Sequence, residues 1–485
     1  MAFIEQTLST TKAYVNSRPK SERKAYGQFF TMGTGAQFMS SLFNVDLEKE
    51  RLSILDAGAG SGILSSALVD QLLALGFKGI INVTCYENDP NVLPVLYSNL
   101  EEIANQVKHF EYRVIEDNFI TSQPFGGFFH SEATYDLVIG NPPYKKMPMD
   151  SPEAQHMKEV CYGAPNLYFL FMAMSIQQLK EGGQLVYIIP RSWTSGAYFD
   201  RFRKWLFART VIEHIHLFGS RDKVFNGESV LQETMIIKIR KSREKPQEIK
   251  MTYSETSDFS DISSISVPYD IIVAKNSYVY LVTSKNEIEC LNSLNTLNNT
   301  LVTDGLRMKT GLVVDFRTQD VLRNDADAPN TYPLLYSQHI KNGKIIWPVG
   351  KENEYICTDH KAFLQENSNY VFVKRFTAKE ERRRLQCGIY LKREHPDYKY
   401  ISTQNKINYI LCQEEDEAWG VYCLLNSSIY DLYYRILNGS TQVNSTEINN
   451  MPVPDKHTIV EMGKMLKGNE LSTEMCDKIL SAWIN

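Results

Sequence analysis

The sequence has no excess of basic residues, no Cys-x-x-Cys pair and no long apolar run, and each absence removes a class of protein. Lys and Arg number 52 against 57 Asp and Glu, a formal net charge of −5. A global basic coat is excluded, so any nucleic-acid contact has to come from a local patch. The eight cysteines, at 85, 161, 290, 357, 387, 412, 423 and 476, are scattered. That spacing supports neither a zinc site nor a disulfide framework and fits reduced, buried thiols. The longest apolar run, Leu167–Met174, has eight residues, short of the roughly 18 that a membrane span needs. The N-terminal stretch carries no apolar signal-peptide core, so a soluble, cytoplasmic protein is expected. None of the nine histidines stands at metal-ligand spacing. His214-x-His216 lies on an apparent strand with both rings on one face, and no metal is expected there.

At 485 residues, with 43% apolar and 22% charged positions, the chain has the composition of an ordinary globular protein of two domains. From about Leu52 to Arg240 short β-branched runs alternate with helical stretches. The runs are Leu52–Leu55, Ile81–Tyr86, Glu111–Ile115, Tyr135–Gly140, Gln184–Pro190, Val211–Phe218 and Glu233–Arg240. This alternation predicts an α/β fold with a mostly parallel sheet that ends in an antiparallel pair. After Lys241 the pattern is lost. The stretch 242–264, rich in Ser, Glu, Asp and Thr, reads as a linker, which places one domain at 1–245 and a second at 246–485.

The clearest local signal is Asp56-Ala-Gly58-Ala-Gly60-Ser-Gly62 between a strand and an amphipathic helix. Glycines at such a turn let a ligand approach the backbone, where the helix N-terminus offers unpaired N–H groups. Glu87-Asn88 ends the next strand, Asp117-Asn118-Phe119 the third and Asn141-Pro142-Pro143-Tyr144 the fourth. Asp56, Glu87, Asp117 and Asn141 are 31, 30 and 24 positions apart, one per βα unit. A single acid at a strand end is commonly only a helix cap. Four groups in register gather on the carboxyl edge of a parallel sheet, where ligands bind. In the Asn-Pro-Pro-Tyr segment, the Asn141 side-chain oxygen and the Pro142 carbonyl are two acceptors for the two hydrogens of an NH₂ group. Tyr144 adds a flat face for a planar ring.

With these residues in place, the chain resembles the adenine-specific DNA methyltransferases of the gamma group, from restriction–modification systems. The likeness begins at Gly27-Gln28-Phe29-Phe30-Thr31 and runs through Asp56–Gly62, Glu87, Asp117–Phe119 and Asn141–Tyr144. Phe225 resembles the family's aromatic position facing the catalytic loop. The resemblance implies a class I S-adenosylmethionine-dependent methyltransferase domain, Rossmann-like with a seven-stranded sheet, followed by an α+β target-recognition domain. It implies that S-adenosylmethionine is held by Phe30, Thr31, Asp56, Gly58, Gly60, Glu87, Asn88, Asp117, Asn118, Phe119 and Asn141, and that S-adenosylhomocysteine is the product. Asn141, Pro142, Pro143 and Tyr144 are then the catalytic segment, with Tyr144 and Phe225 stacking on the target base. The usual Phe-Thr-Pro is Phe30-Thr31-Met32 here, a departure that keeps Thr31.

In the C-terminal half, Lys309–Arg317, Lys374–Arg384 and Asn438–Asn444 are similar to segments of enzymes in this family that methylate short palindromic sites, as monomers. The residues agree with that likeness. Between Val371 and Ile410 there are ten Lys and Arg against four acids, with six aromatics interleaved, a composition suited to phosphates. Arg317, Lys374, Arg375, Lys379, Arg382, Arg383, Arg384, Gln442 and Asn444 are the candidates for DNA contact. Asp315-Phe316-Arg317 reads equally as a salt-bridged turn.

The expected reaction is methyl transfer to N6 of a flipped-out adenine in a short duplex site, protecting DNA from a partner restriction endonuclease. Methylation of a guanine amino group in RNA or of a protein glutamine is the alternative, as is an inactive DNA-binding module. With about 25 residues ahead of Gly27 in this sequence, a fused nuclease is not expected.

Overall fold

The computed structural model describes residues 2–16, 31–126, 133–219, 234–256, 258–378, 380–437 and 441–484. The chain forms two compact units, 1–283 and 284–485.

In the first unit, helix α1 (Phe3–Asn16) and helix α2 (Gly33–Ser41) precede a run of alternating elements. These are β1 (Arg51–Ala57), α3 (Ile63–Ala74), β2 (Ile80–Tyr86), α4 (Leu93–Gln106), β3 (Phe110–Ile115), β4 (Tyr135–Gly140), α5 (Pro152–His156), α6 (Leu167–Gln178) and β5 (Leu179–Pro190). Then come α7 (Asp200–Phe207), β6 (Thr210–Phe218), β7 (Thr234–Lys241), β8 (Glu248–Ser254) and β9 (Ser263–Pro268). All nine strands form one sheet in the order β3-β2-β1-β4-β5-β7-β6-β8-β9. Only β7 and β9 run against the others. Each of the seven strand runs read from the sequence is a strand, and the β6–β7 pair is antiparallel as expected.

Two expectations are corrected. The stretch 242–264 is not a linker: it contributes β8 and the start of β9, so the sheet has nine strands rather than seven. The units meet at 283/284 rather than near 245. The cause is polar composition next to the sheet's margin, which dilutes the alternation of β8; Ile249 and Met251 are buried while Glu248 and Lys250 face outward.

The sheet reverses its strand order between β1 and β4, the point at which an open parallel sheet forms a crevice. Helix α3 behind it is buried along most of its length, and α6 is buried on nearly every side. Helix α1 docks on α3. The Asp70 carboxylate accepts from the N–H groups of Phe3 and Ile4 at 3.0 and 2.8 Å, and Thr11 donates to Ser61 Oγ at 2.7 Å. The N-terminal helix is therefore tied to the glycine turn that follows β1. Among the described residues no helix is long and apolar enough to cross a membrane.

The second unit contains a six-stranded and a five-stranded sheet with helices around them. Strand Tyr400–Thr403 belongs to the five-stranded sheet and Ile407–Cys412 to the six-stranded one. The turn 404–406 between them carries the chain from one sheet to the other.

Candidate active site and DNA-contact surface

The turn after β1 is built by three positive-φ glycines, Gly58 (75°), Gly60 (56°) and Gly62 (84°). Residues with a Cβ seldom adopt this conformation. Gly58 and Ala59 both donate to the Tyr86 carbonyl at 2.8 and 3.0 Å, which folds the turn over the end of β2. Gly60 N–H donates to Glu87 Oε2 at 2.8 Å. The other carboxylate oxygen of Glu87 accepts from Asn88 and Asp89 N–H at 2.9 and 2.8 Å. Glu87 thus locks two strand-end loops together, and burial raises its carboxyl above the ordinary value against those three hydrogen bonds.

After β3, Asn118 Oδ1 accepts from the N–H groups of Ile120 and Thr121, and its Nδ2 donates to Glu153 Oε1 at 2.9 Å. Phe119 is buried, edge-on to Tyr86 with centroids 5.0 Å apart and 5.2 Å from Phe171. After β4, Gly140 packs against Tyr187 so closely that a Cβ would lie 2.5 Å from the ring. Asn141 follows, its Nδ2 donating to Thr31 Oγ1 at 3.1 Å. Tyr144 is half-buried. Its hydroxyl donates to the Ile188 carbonyl at 2.9 Å, and its ring stands edge-on to Tyr168.

These residues surround a cavity of about 520 Å³, within the range of small-molecule sites. Thr31, Gly58, Gly60, Glu87, Asn88, Asp117, Asn118, Phe119, Asn141 and Pro143 all line it. So do Asp89, Lys145, Met147, Glu153, Leu167 and Phe171, which the sequence reading did not single out. Phe171 was hidden in an apolar helix, and Glu153 stands in no motif. One oxygen of Glu153 is buried without a hydrogen-bond partner among the described residues. Four carboxylates (Glu87, Asp89, Asp117 and Glu153) against one Lys favour a positively charged ligand, and the Tyr86–Phe119–Phe171 wall suits a flat ring.

Asp56 departs from expectation. It does not line the cavity; it is fully buried beneath the turn, with Oδ2 accepting from Ser65 on α3 at 2.7 Å. Burial pushes its carboxyl up to about 7. Pro142 and Tyr144 also lie outside the cavity lining. Phe30 and Phe225 lie outside the described residues. His214 and His216 both reach the Thr252 hydroxyl, at 2.8 and 2.9 Å, inside the unit, and burial lowers both rings below their ordinary value, His214 to about 4 and His216 to about 3.

In the second unit the structure brings together segments far apart in sequence. Asn405 N–H donates to the Val313 carbonyl at 2.8 Å, and Gln404 Nε2 to Asp315 Oδ2 at 3.1 Å. Arg375 donates through N–H and Nη1 to the carbonyls of Lys406 and Asn405, at 3.1 and 3.0 Å. Val443 N–H donates to the Arg375 carbonyl at 2.7 Å, and Phe376 pairs with Gln442. Gly311 allows the crossing, since a Cβ there would lie 2.1 Å from the Gln404 carbonyl oxygen. Arg317, Arg375 and Gln442 are therefore gathered around the 404–406 turn.

Other candidates are corrected. Arg384 is fully buried, bonded to Thr377 with its guanidinium over the Tyr434 ring. Arg383 donates to the carbonyls of Leu425 and Ser427 and to Thr473. Both are internal braces, because their donors are taken up by the fold rather than presented to phosphates. Asn444 is held by the Tyr434 hydroxyl and by Glu447. Arg382 is exposed and Lys374 half-exposed; Lys379 lies outside the described residues.

Residues 64–225 match the Eco57I restriction-modification methylase family. The chain is 33% identical to the type II methyltransferase M.PstI of Providencia stuartii, over 95% of this chain and 93% of that protein. It is 32% identical to the type II methyltransferase M.BsuBI of Bacillus subtilis, over 97% and 95%. The solved structure of the type IIL restriction-modification enzyme MmeI in complex with DNA shares the fold, with a TM-score of 0.52 at 10% identity over 99% of this chain and 74% of that one. A likeness that runs end to end through both units leaves one assignment: the chain belongs to the type II methyltransferases of restriction–modification systems and methylates DNA at specific sites.

Proposed function

We propose that the methylated atom is N6 of adenine, flipped out of a short duplex sequence, with S-adenosylmethionine as methyl donor. The observation that carries this reading is the meeting of Asn141 with the acid-lined cavity at the sheet's switch point.

The cavity fits the cofactor chemically. S-adenosylmethionine supplies an electrophilic methyl group on a sulfonium, and the carboxylate-rich lining suits that cation. Glu87 would accept from ribose hydroxyls, while Asp117, Asn118 and Phe119 would hold the adenine ring. The turn 58–60 lets the ligand approach the backbone, and Thr31 and Asn141 close the cavity. Asp56 would act from below, by holding the first turn of α3.

The chain's own residues then act on the target base. Asn141 Oδ1 and the Pro142 carbonyl would accept the two N6 hydrogens, drawing lone-pair density towards the attacking nitrogen. The bond from Asn141 Nδ2 to Thr31 fixes which way round the amide lies. Tyr144, anchored through its hydroxyl to Ile188, would stack on the purine, with Phe225 as its partner. Catalysis is mainly positioning of nitrogen and methyl in line. The second unit would hold the duplex and help to offset the cost of extruding the base. A restriction endonuclease acting on the same sequence would be the functional partner.

The test is nucleoside mass spectrometry of duplex DNA treated with the protein and S-adenosylmethionine labelled in the methyl group. Labelled N6-methyldeoxyadenosine, absent with Asn141→Ala, is the expected product. Label in N4-methylcytosine, or in RNA or protein with none in DNA, would contradict the proposal.

A further inference from the structure

We propose that Asn405 reads the edge of one purine of the recognition sequence in the major groove, with Lys406 beside it on a phosphate. The proposal rests on the reading of the second unit as the part that holds DNA.

Asn405 and Lys406 form the tip of a four-residue turn, closed by the Ile407 N–H donating to the Gln404 carbonyl at 3.1 Å. Asn is common at such tips because its side chain can bond its own backbone two residues on. Here Gln404 takes that role instead. Its Oε1 accepts from the Lys406 N–H at 3.0 Å, and its Nε2 donates to Asp315 at 3.1 Å. The Asn405 amide makes no hydrogen bond among the described residues, and neither of its polar atoms is buried.

The backbone that carries this amide is fixed from both sides. Asn405 N–H donates to the Val313 carbonyl at 2.8 Å, and its own carbonyl accepts from Arg375 Nη1 at 3.0 Å. An unused amide on a braced stem is suited to recognition, because little conformational freedom is lost on binding. Such an amide is complementary to adenine, whose N6 donates to Oδ1 while N7 accepts from Nδ2; guanine engages Nδ2 through N7 or O6.

The charges around the turn point to a nucleic acid. Lys406 is exposed at the tip, and Arg317 is exposed on the segment that Asp315 ties to Gln404. Asp315 is the acid bonded to the turn, and both of its oxygens accept hydrogen bonds. A base-reading amide set among cations matches the division of labour at a duplex, where phosphate contacts position and base contacts specify.

The test is the affinity of the full chain for duplexes carrying its methylated sequence, by fluorescence anisotropy. Each purine is replaced in turn by its 7-deaza analogue, in which N7 becomes a carbon. Wild type should lose about 10- to 100-fold at one position. Asn405→Ala should lose about as much on the natural duplex, and less than about 3-fold more when that same purine is replaced. Asn405→Asp, which keeps the shape without the donor, should also become insensitive to that replacement, and unchanged melting temperatures separate these losses from misfolding. Lys406→Ala should weaken every duplex equally and lower the salt dependence by about one unit of log–log slope. Losses from Asn405→Ala and from the analogue that multiply at every purine, or an Asn405→Ala variant that binds as wild type, would overturn the proposal. If Lys406→Ala also binds as wild type with unchanged salt dependence, the reading of the second unit falls with it.

Discussion

The two regions proposed to act on DNA are assembled in opposite ways. At the edge of the nine-stranded sheet, each functional residue stands at the end of its own parallel strand. Register alone brings Gly58, Glu87, Asn118 and Asn141 to one cavity. In the second unit the residues around 404–406 come from four separate segments that cross where two sheets exchange the chain. The first site is a property of a repeating unit. The second depends on single close approaches and has no interval that a sequence would repeat.

That contrast predicts where each region breaks. Asn141→Ala leaves the cavity's other walls intact. It should lower turnover by about 10²–10³-fold while cofactor affinity, measured calorimetrically, changes by less than about 3-fold. Gly311→Ala places a methyl group 2.1 Å from the Gln404 carbonyl oxygen and must push the crossing segments apart. DNA affinity by fluorescence anisotropy should fall about 10- to 100-fold while cofactor affinity stays as in wild type. A loss of both would mean that the two regions are not energetically separate.

Asp56 tests the first region through pH. Its carboxyl titrates near 7 when folded and near 3.8 as a free side chain, so the folded state binds the proton more tightly. That contribution is fully present below the unfolded value and is lost as pH rises through about 7. Glu87, also raised by burial, acts in the same direction. Asp56→Asn should therefore flatten the fall in melting temperature between about pH 4 and about pH 7, by roughly 5 °C. An unchanged slope would show that the carboxyl stays ionised through this range.

The smallest effect separates presented from internal arginines. Arg317→Ala should leave the melting temperature unchanged and reduce the salt dependence of DNA binding by about one unit of log–log slope. Arg384→Ala should do the reverse, lowering the melting temperature because it empties a buried site beside Tyr434.

The same contrast explains what the sequence made legible. The strand-end positions could be read because a βα unit has a nearly constant length and the C-terminal edge gathers its ends. Asp56 was placed in the cavity by that reasoning, yet it is still within β1 and its side chain turns to Ser65 behind the sheet. The ends of strands are legible; the face that a terminal side chain takes is not. Glu153 and Phe171 reach the cavity through tertiary packing that no spacing encodes. In the second unit the charge count located a basic stretch but could not distinguish Arg382, on the surface, from Arg384, in the interior. Strands β8 and β9 were missed for a related reason: half-buried strands of polar composition resemble linkers.

The central claim is that Asn141 and its loop direct a methyl group to one adenine within a fixed sequence. Single-molecule sequencing of genomic DNA from a methylation-free host expressing the chain tests it most directly, with Asn141→Ala as control. A polymerase-kinetic signal at one adenine of a short recurring motif, absent in the control, is the predicted result. A signal on cytosine, or no signal despite folded protein that binds S-adenosylmethionine, would contradict it.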